Sequence, residues 1–225
     1  ETTPLKVVKT YFNQGNNVDI QEGERTDHFA QIGRVYRQDT FNHAGDKMIS
    51  NFYSWNTDEL NGGRYFVNLD SQMSQSFDGD ADHRDTAGKF VYSENTGDLI
   101  QETNYGEVTG ESNGTFSDIG QDSILKKYMY AVSTSSPISL VATEEILEHD
   151  GKIVRRTNQY YDNLSQGSVL KGKLTKQEDW ITNEVYATTK RSYDSTYGLL
   201  VLVTDPQSKT TQYTYDQHNL YPSKV

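Results

Sequence analysis

The sequence predicts an all-β fold, an extended antiparallel sheet made of β-hairpins. Short runs of alternating polar and apolar residues, rich in β-branched and aromatic side chains, recur at residues 5–12, 65–69 and 124–130. This period of two is typical of strands. No segment has the spacing of an amphipathic helix. The 16 Tyr, 8 Phe and 2 Trp favour packed sheets, although hydrophobic residues make up only 33% of the chain.

Turn-forming residues divide these runs into hairpins. Asp150-Gly151 predicts a two-residue type I′ turn, because both residue types tolerate the positive φ angles that this turn needs. Further along, the pattern predicts a four-strand meander with strands at 174–180, 185–193, 199–204 and 210–215. We treat residues 1–225 as a single β region of a larger protein. A polar stretch ending at Pro137 gives a sub-boundary near 133–143 as the alternative.

Charge and composition exclude several classes of function. The formal net charge of −11 repels the phosphates of nucleic acids and anionic lipid surfaces, so neither nucleic-acid binding nor membrane insertion is expected. No apolar run approaches the roughly 20 residues that a membrane helix needs. The absence of Cys excludes disulfides, thiolate metal sites and Cys nucleophiles.

A degenerate repeat runs through the chain. Its copies combine a Tyr-Asp pair with a following Gly and Leu: Tyr161-Asp162 with Gly172 and Leu174, Tyr193-Asp194 with Gly198 and Leu199, then Asp205-Pro206 and the pair Tyr215-Asp216. Looser copies begin at Phe41-Asn42 and Tyr92-Ser93. In this interpretation Tyr ends a strand, Asp caps a turn, Gly takes a positive φ angle and Leu begins the returning strand. Each copy is then a hairpin that needs neighbours to bury its rings.

This pattern resembles the YD repeats of RHS proteins, most specifically over residues 204–216. Residues 11–37 are similar to the region that precedes such repeats in toxin-complex B-component-like RHS proteins. Ser208 departs from the family, which usually has Gly there, and nothing matches the self-cleaving Asp motif that ends the shell.

The resemblance implies a non-enzymatic, structural function. It implies a ribbon of hairpins that forms part of a β-spiral shell, secreted or at the cell surface, which encapsulates or displays a toxin or another polypeptide. The expected partners are other YD-repeat segments of the same parent chain and an enclosed toxin polypeptide. Exposed strand edges also predict self-association.

An acidic run provides the sharpest chemical hypothesis. Asp78, Asp80, Asp82 and Asp85 lie close to the alternate-residue spacing of a calcium loop. However, His83 and Lys89 occupy the positions where an EF-hand needs Gly and Glu. The alternative is a solvated acidic turn. No other cofactor is predicted.

No catalytic residue is predicted, so the sequence favours a protein that is not an enzyme. Adjacent acidic pairs on a strand diverge to opposite faces, and no nucleophile elbow or phosphate loop occurs. A hydrolase would need two carboxylates brought together from distant positions. The main alternative function is a carbohydrate-binding sheet surface, for which the candidate stacking rings are Trp55, Trp180, Tyr160 and Tyr161.

Overall fold

The computed structural model describes residues 6–16, 26–77 and 81–224. It confirms the all-β fold class, with 62% of the residues in strands and 1% in helix. Within the described part, the one helical element is a 3-10 turn at Phe29–Gln31. That part holds no helix of the length and apolarity needed to cross a membrane.

The chain divides into two compact units, Glu1–Leu125 and Lys126–Val225. The first contains the strands β1 (Lys6–Phe12), β2 (Val35–Asn42), β3 (Lys47–Leu60), β4 (Arg64–Phe77), β5 (His83–Tyr92), β6 (Leu99–Gly110) and β7 (Phe116–Asp118). Strands β1 to β6 pair antiparallel in sequence order, and β7 pairs with β6. The unit is therefore a meander of consecutive hairpins, as the turn pattern predicts.

The second unit is also a meander. Its strands are β8 (Ile124–Val132), which begins two residues before the unit boundary, β9 (Ser139–Glu148), β10 (Ile153–Tyr161), β11 (Leu174–Thr182), β12 (Val185–Tyr193), β13 (Leu200–Thr204), β14 (Thr210–Gln212), β15 (Thr214–Tyr215) and β16 (Pro222–Lys224). Strands β9 to β14 pair antiparallel in order, and β15 pairs with β16 in a separate small sheet. The segment 133–143 lies inside this unit.

Two details differ from the sequence-based expectations. At Asp150-Gly151 only the glycine has a positive φ angle, +82°, so the predicted type I′ turn is wrong; Glu148 and Lys152 close a longer loop instead. The predicted strand 210–215 is divided at Tyr213, whose N–H still bonds to the carbonyl of Val201 while the next two residues join the second sheet. The turn at Asn183-Glu184, by contrast, has positive φ angles at both residues.

Each unit has its own small apolar core. In the first, Phe52, Met73 and Ala87 are direct cross-strand neighbours on one face, and Val108 joins them. The segment between β6 and β7 folds over this face, because a Cβ atom on Gly114 would lie 3.0 Å from Cβ of Phe52. In the second unit the core residues are Ala131, Ala142, Tyr161 and Val169.

Candidate functional site

Five hairpins share one local feature, which we call the aromatic bulge. At the aromatic residue of each repeat the strand register shifts, so that the returning strand has one extra residue. The pairs formed at the shift are Phe41 with Lys47, Tyr92 with Leu99, Tyr161 with Leu174, Tyr193 with Leu200 and Tyr215 with Pro222. A bulge bends the strand and increases its local twist. The degenerate repeat in the sequence therefore corresponds to a repeated backbone geometry.

The aspartate after each tyrosine organises the turn. Asp162 accepts four backbone N–H bonds, from Leu170, Lys171 and Gly172 to Oδ2 at 2.8–3.0 Å and from Lys173 to Oδ1 at 3.1 Å. Burial alone would raise the pKa of Asp162, but these four bonds outweigh it and hold the pKa below its usual value. The carboxylate is thus the hub of the loop 162–173.

The other copies use the same device with fewer bonds. Asp194 accepts from the N–H groups of Thr196, Tyr197 and Leu199 at 2.6–2.9 Å, and the Tyr197 bond contributes most to lowering its pKa. The remaining turns are closed by bonds to the side chains of Asp205 (from Gln207 and Lys209), Asp216 (from Leu220 and Tyr221), Asn42 (from Ala44 and Asp46) and Ser93 (from Thr96). Asn and Ser therefore substitute for Asp in the looser copies.

The tyrosine hydroxyls of the repeat donate to backbone carbonyls of an earlier strand. Tyr161 donates to Val141 at 2.8 Å, Tyr193 to Leu174 at 2.9 Å, and Tyr215 to Leu200 at 3.0 Å. Burial raises the pKa of Tyr161 and of Tyr193, which keeps both phenols in the donor form.

These contacts connect successive repeats into a series. Leu174 is the cross-strand partner of Tyr161, and its carbonyl accepts from Tyr193. Leu200 is in turn the partner of Tyr193, and its carbonyl accepts from Tyr215. The repeats at Tyr193 and Tyr215 are thereby each attached to the one before through the residue that the earlier tyrosine pairs with.

The remaining motif residues lie in the turns. Gly172 and Gly198 have φ angles of +82° and +74°, a region in which side chains with a Cβ atom are strained. Leu199 lies before β13, and its carbonyl accepts from the Asp194 N–H. Pro206 lies in the exposed turn after Asp205. Ser208 follows with a φ angle of +64°, so a serine occupies a left-handed position, where the YD repeats that the sequence resembles usually have Gly.

The calcium hypothesis stays a prediction. Asp78 and Asp80 lie outside the described residues. Asp82 is exposed, whereas Asp85 is buried and uses both oxygens: Oδ1 lies 2.6 Å from Nδ1 of His83, and Oδ2 accepts from the Gly110 N–H at 2.8 Å. Asp82 and Asp85 therefore differ in exposure and in bonding. Over residues 6–16, 26–77 and 81–224, no three His, Cys, Asp or Glu side chains are grouped to hold a metal ion.

The structure places the four aromatic candidates for sugar stacking in different surroundings. Trp55 donates from Nε1 to the carbonyl of Val35 and packs under Arg34. Tyr161 is buried, and the ring of Tyr160 is covered by the Lys176 ammonium, 3.6 Å from its centroid. Trp180 lies near the end of β11. Three of the four rings are thus engaged in internal contacts.

A buried ionic cluster was not foreseen from the sequence. Asp39, only 1% exposed, accepts from Nε of Arg37 at 2.9 Å, forms a second contact with Nη2 at 2.8 Å and accepts from the Ser50 hydroxyl at 2.8 Å. Burial would raise the pKa of Asp39, but the bonds from Arg37 and Ser50 hold it below its usual value. The Arg37 guanidinium also lies over the rings of Tyr11 and Phe52. The only feature of the sequence that indicates this cluster is the run Arg-Gln-Asp within a strand, which places Arg37 and Asp39 on the same face.

The carboxylates of the turns and of the ionic cluster are suited to holding strands together. The oxygens of Asp162, Asp194 and Asp39 accept hydrogen bonds from within the fold, and such bonds stabilise the charged form. A general acid instead needs a pKa close to the working pH. The geometry of these carboxylates is that of structural anchors.

No family model matches the sequence, and no curated protein matches it. Among solved structures, the chain is similar to "Crystal Structure of TcdB2-TccC3 without hypervariable C-terminal region", with a TM-score of 0.54 and 9% identity. It is also similar to "Crystal Structure of TcdB2-TccC3-TEV", with a TM-score of 0.53 and 8% identity. Both alignments cover 86% of this chain, which spans 15% of the length of each neighbour. At this identity the likeness concerns the fold.

Proposed function

We propose that this chain is a non-enzymatic wall segment of an RHS/YD-repeat protein, secreted or at the cell surface, whose β-sheet encloses or displays another polypeptide. One observation carries the proposal. The hydroxyls of Tyr193 and Tyr215 bond their repeats to the repeat before, so that the three consecutive hairpins at Tyr161, Tyr193 and Tyr215 are joined in a series.

The bonding pattern suits a wall because its contacts are mostly between neighbours. Within each meander the strands pair in sequence order, and each tyrosine hydroxyl reaches an earlier strand no more than 20 residues back. Stability in such arrays is approximately a sum of unit and neighbour terms, so a sheet can extend without a central core. The small size of the two apolar clusters agrees with this.

Two lines of comparison support the assignment to RHS proteins. The Tyr-Asp, Gly and Leu pattern of residues 161–216 is similar to the YD repeat, and the fold is similar to that of TcdB2-TccC3 over 86% of this chain. Since the chain spans 15% of those neighbours, the shell, its cargo and its location at the surface belong to the proposal.

Electron microscopy of the full-length protein that contains this sequence tests the proposal. We expect a hollow body, and a solid globule would overturn the wall function. A second arm treats the particles with protease and follows any enclosed polypeptide. The double variant Tyr193→Phe/Tyr215→Phe removes both hydroxyl–carbonyl hydrogen bonds and should make that polypeptide more accessible to the protease. The matched control is Tyr197→Phe, at a residue that is 67% exposed.

A further inference from the structure

The first unit has an open groove of about 380 Å³ on one face of strands β3 to β6. Most of its lining residues lie on the face opposite the one that carries Phe52, Met73 and Ala87, because they alternate with these along the strands, while Met73 and Ala87 themselves also border the groove. The segment that covers the core folds against that other face. The groove therefore lies mainly on the opposite face of the sheet from that segment.

Cross-strand pairs define the groove. Tyr53 pairs with Gln72, Gln72 with Gly88, and Gly88 with Asn104, so one row crosses four strands. With strands about 4.8 Å apart, this row is about 14 Å long. The rows on either side contain Asn51, Ser74 and Thr86, and Phe90 with Glu102.

Gly88 forms the floor, and its own strand does not require a glycine. Its φ angle is outside the left-handed region, and a Cβ atom there would meet its nearest neighbours, the Thr103 carbonyl and Gln72, at ordinary distances of 3.5 and 3.8 Å. Glycine inside a strand loses side-chain packing and often marks a close approach by a ligand or another backbone. The missing side chain leaves the trough open between Gln72 and Asn104.

The lining carries little charge, is rich in amide groups and includes two aromatic rings. Among the described residues, no Lys or Arg borders the groove, and the single acid in the lining is Glu102. Gln72 and Asn104 are exposed, and Oδ1 of Asn104 accepts a bond from the Gly106 N–H. The half-buried rings of Tyr53, at the β3 end of the row, and of Phe90, in the neighbouring row, offer apolar surface. Amide and hydroxyl groups match the hydroxyls of a sugar, and aromatic faces match its C–H faces.

We propose that this groove binds a neutral oligosaccharide. The net charge of −11 and the absence of bases in the lining disfavour an anionic ligand. An extended polypeptide would add to a free strand edge, but the four strands here are paired with one another and offer only side chains. Binding here does not depend on the wall function, and either can fail alone.

Calorimetric titration of the 225-residue chain tests the inference, with cellohexaose, xylohexaose, laminarihexaose and chitohexaose as probes. We expect at least one to bind with 1:1 stoichiometry. Gly88→Val, which fills the floor, should weaken binding at least tenfold, and Gln72→Ala should weaken it severalfold. The matched controls Ser192→Val and Gln212→Ala, at exposed strand positions in the second unit, should leave it unchanged.

Several outcomes would overturn the inference. They are no binding by any probe up to about 10 mM, binding that survives Gly88→Val and Gln72→Ala, equal binding of oligogalacturonate, and displacement of the sugar by a neutral Gly-Ser peptide. Thermal melting of each variant shows whether the fold is intact. If Gly88→Val does not fold, the exposed pair Gln72→Ala/Asn104→Ala decides the question in the same titration.

Discussion

The hydroxyl of Tyr193 donates a 2.9 Å hydrogen bond to the carbonyl of Leu174, the residue that pairs with Tyr161 across the preceding hairpin. This contact joins the start of β11 to the end of β12, and so it joins the turn after Tyr161 to the turn after Tyr193. It gives the tyrosine of the repeat a function that phenylalanine could not fulfil, since the ring alone would pack but not bond.

Tyr193→Phe should therefore destabilise the second unit while leaving its packing intact. A hydrogen bond of this kind contributes about 0.5–1.5 kcal/mol, and the loss should be of that size. Urea unfolding monitored by circular dichroism measures it. Tyr197→Phe removes a hydroxyl from an exposed ring and should leave the free energy of unfolding unchanged. Equal losses of stability in the two variants would contradict a stabilising hydrogen bond from Tyr193 to Leu174.

Asp162→Asn should destabilise the loop 162–173, and the loss of stability should exceed that of the same substitution in any other turn. Asparagine tolerates the left-handed φ angle of +55° but loses the charge and presents an NH₂ group toward backbone N–H donors. Since bonds to charged groups contribute more than neutral ones, we expect a loss on the order of 2 kcal/mol. Asp150→Asn is the control, because Asp150 accepts only from the Lys152 N–H. Amide hydrogen exchange at residues 170–173 should rise in the first variant alone.

Acid should destabilise the first unit through Asp39. Its pKa in the folded state lies below that of the unfolded chain, near 3.9, so the unfolded state binds more protons between the two values. The stabilisation is fully present above about pH 4 and is lost as the pH falls through the folded pKa. Urea unfolding at pH 7 and pH 3 should show a smaller difference in Asp39→Asn than in the wild type. An unchanged difference would exclude Asp39 as a source, and exposed Asp118→Asn is the control.

Ser208→Gly should stabilise the turn after β13. Serine there has a φ angle of +64°, and a non-glycine residue in this region costs about 1 kcal/mol. Glycine relieves the strain but adds freedom to the unfolded chain, so the net gain should be a few tenths of a kcal/mol up to about 1. The reverse change, Gly198→Ser at +74°, should destabilise. In thermal melting, we expect the midpoint temperature to rise in Ser208→Gly and to fall in Gly198→Ser.

Strand β1 should promote self-association. Among the described residues it pairs only with β2, and Val7, Val8 and Phe12 on it are 37–47% exposed. Free edges pair with other chains, and charges on the edge oppose this. Light scattering should show concentration-dependent association, reduced by Val7→Lys/Val8→Lys but not by Val185→Lys at an exposed position of β12. A monomer at every concentration would refute this prediction.

The sequence predicted what depends on local pattern. The period of two predicted the strands, and the Tyr-Asp pairs marked hairpins whose register shifts at the aromatic residue. It could not predict contacts between distant residues, such as Gly114 lying on Phe52 or the four N–H bonds that Asp162 accepts from residues up to eleven positions away. The groove at Gly88 depends on register across four strands, which a single sequence does not specify. The one local feature of the sequence that indicates the groove is a glycine inside an otherwise regular strand.

The distance between the bulge tyrosine and its partner is not constant. Tyr193 and Leu200 enclose a short turn, whereas the loop between Tyr161 and Leu174 is longer, yet the register shift is the same and both leucines accept a tyrosine hydroxyl. Chain length is therefore decoupled from strand alignment at these points. Extra residues can be inserted into such a turn, by evolution or by engineering, without changing the register of the strands that follow. The turns are therefore suitable insertion sites for epitopes or binding loops.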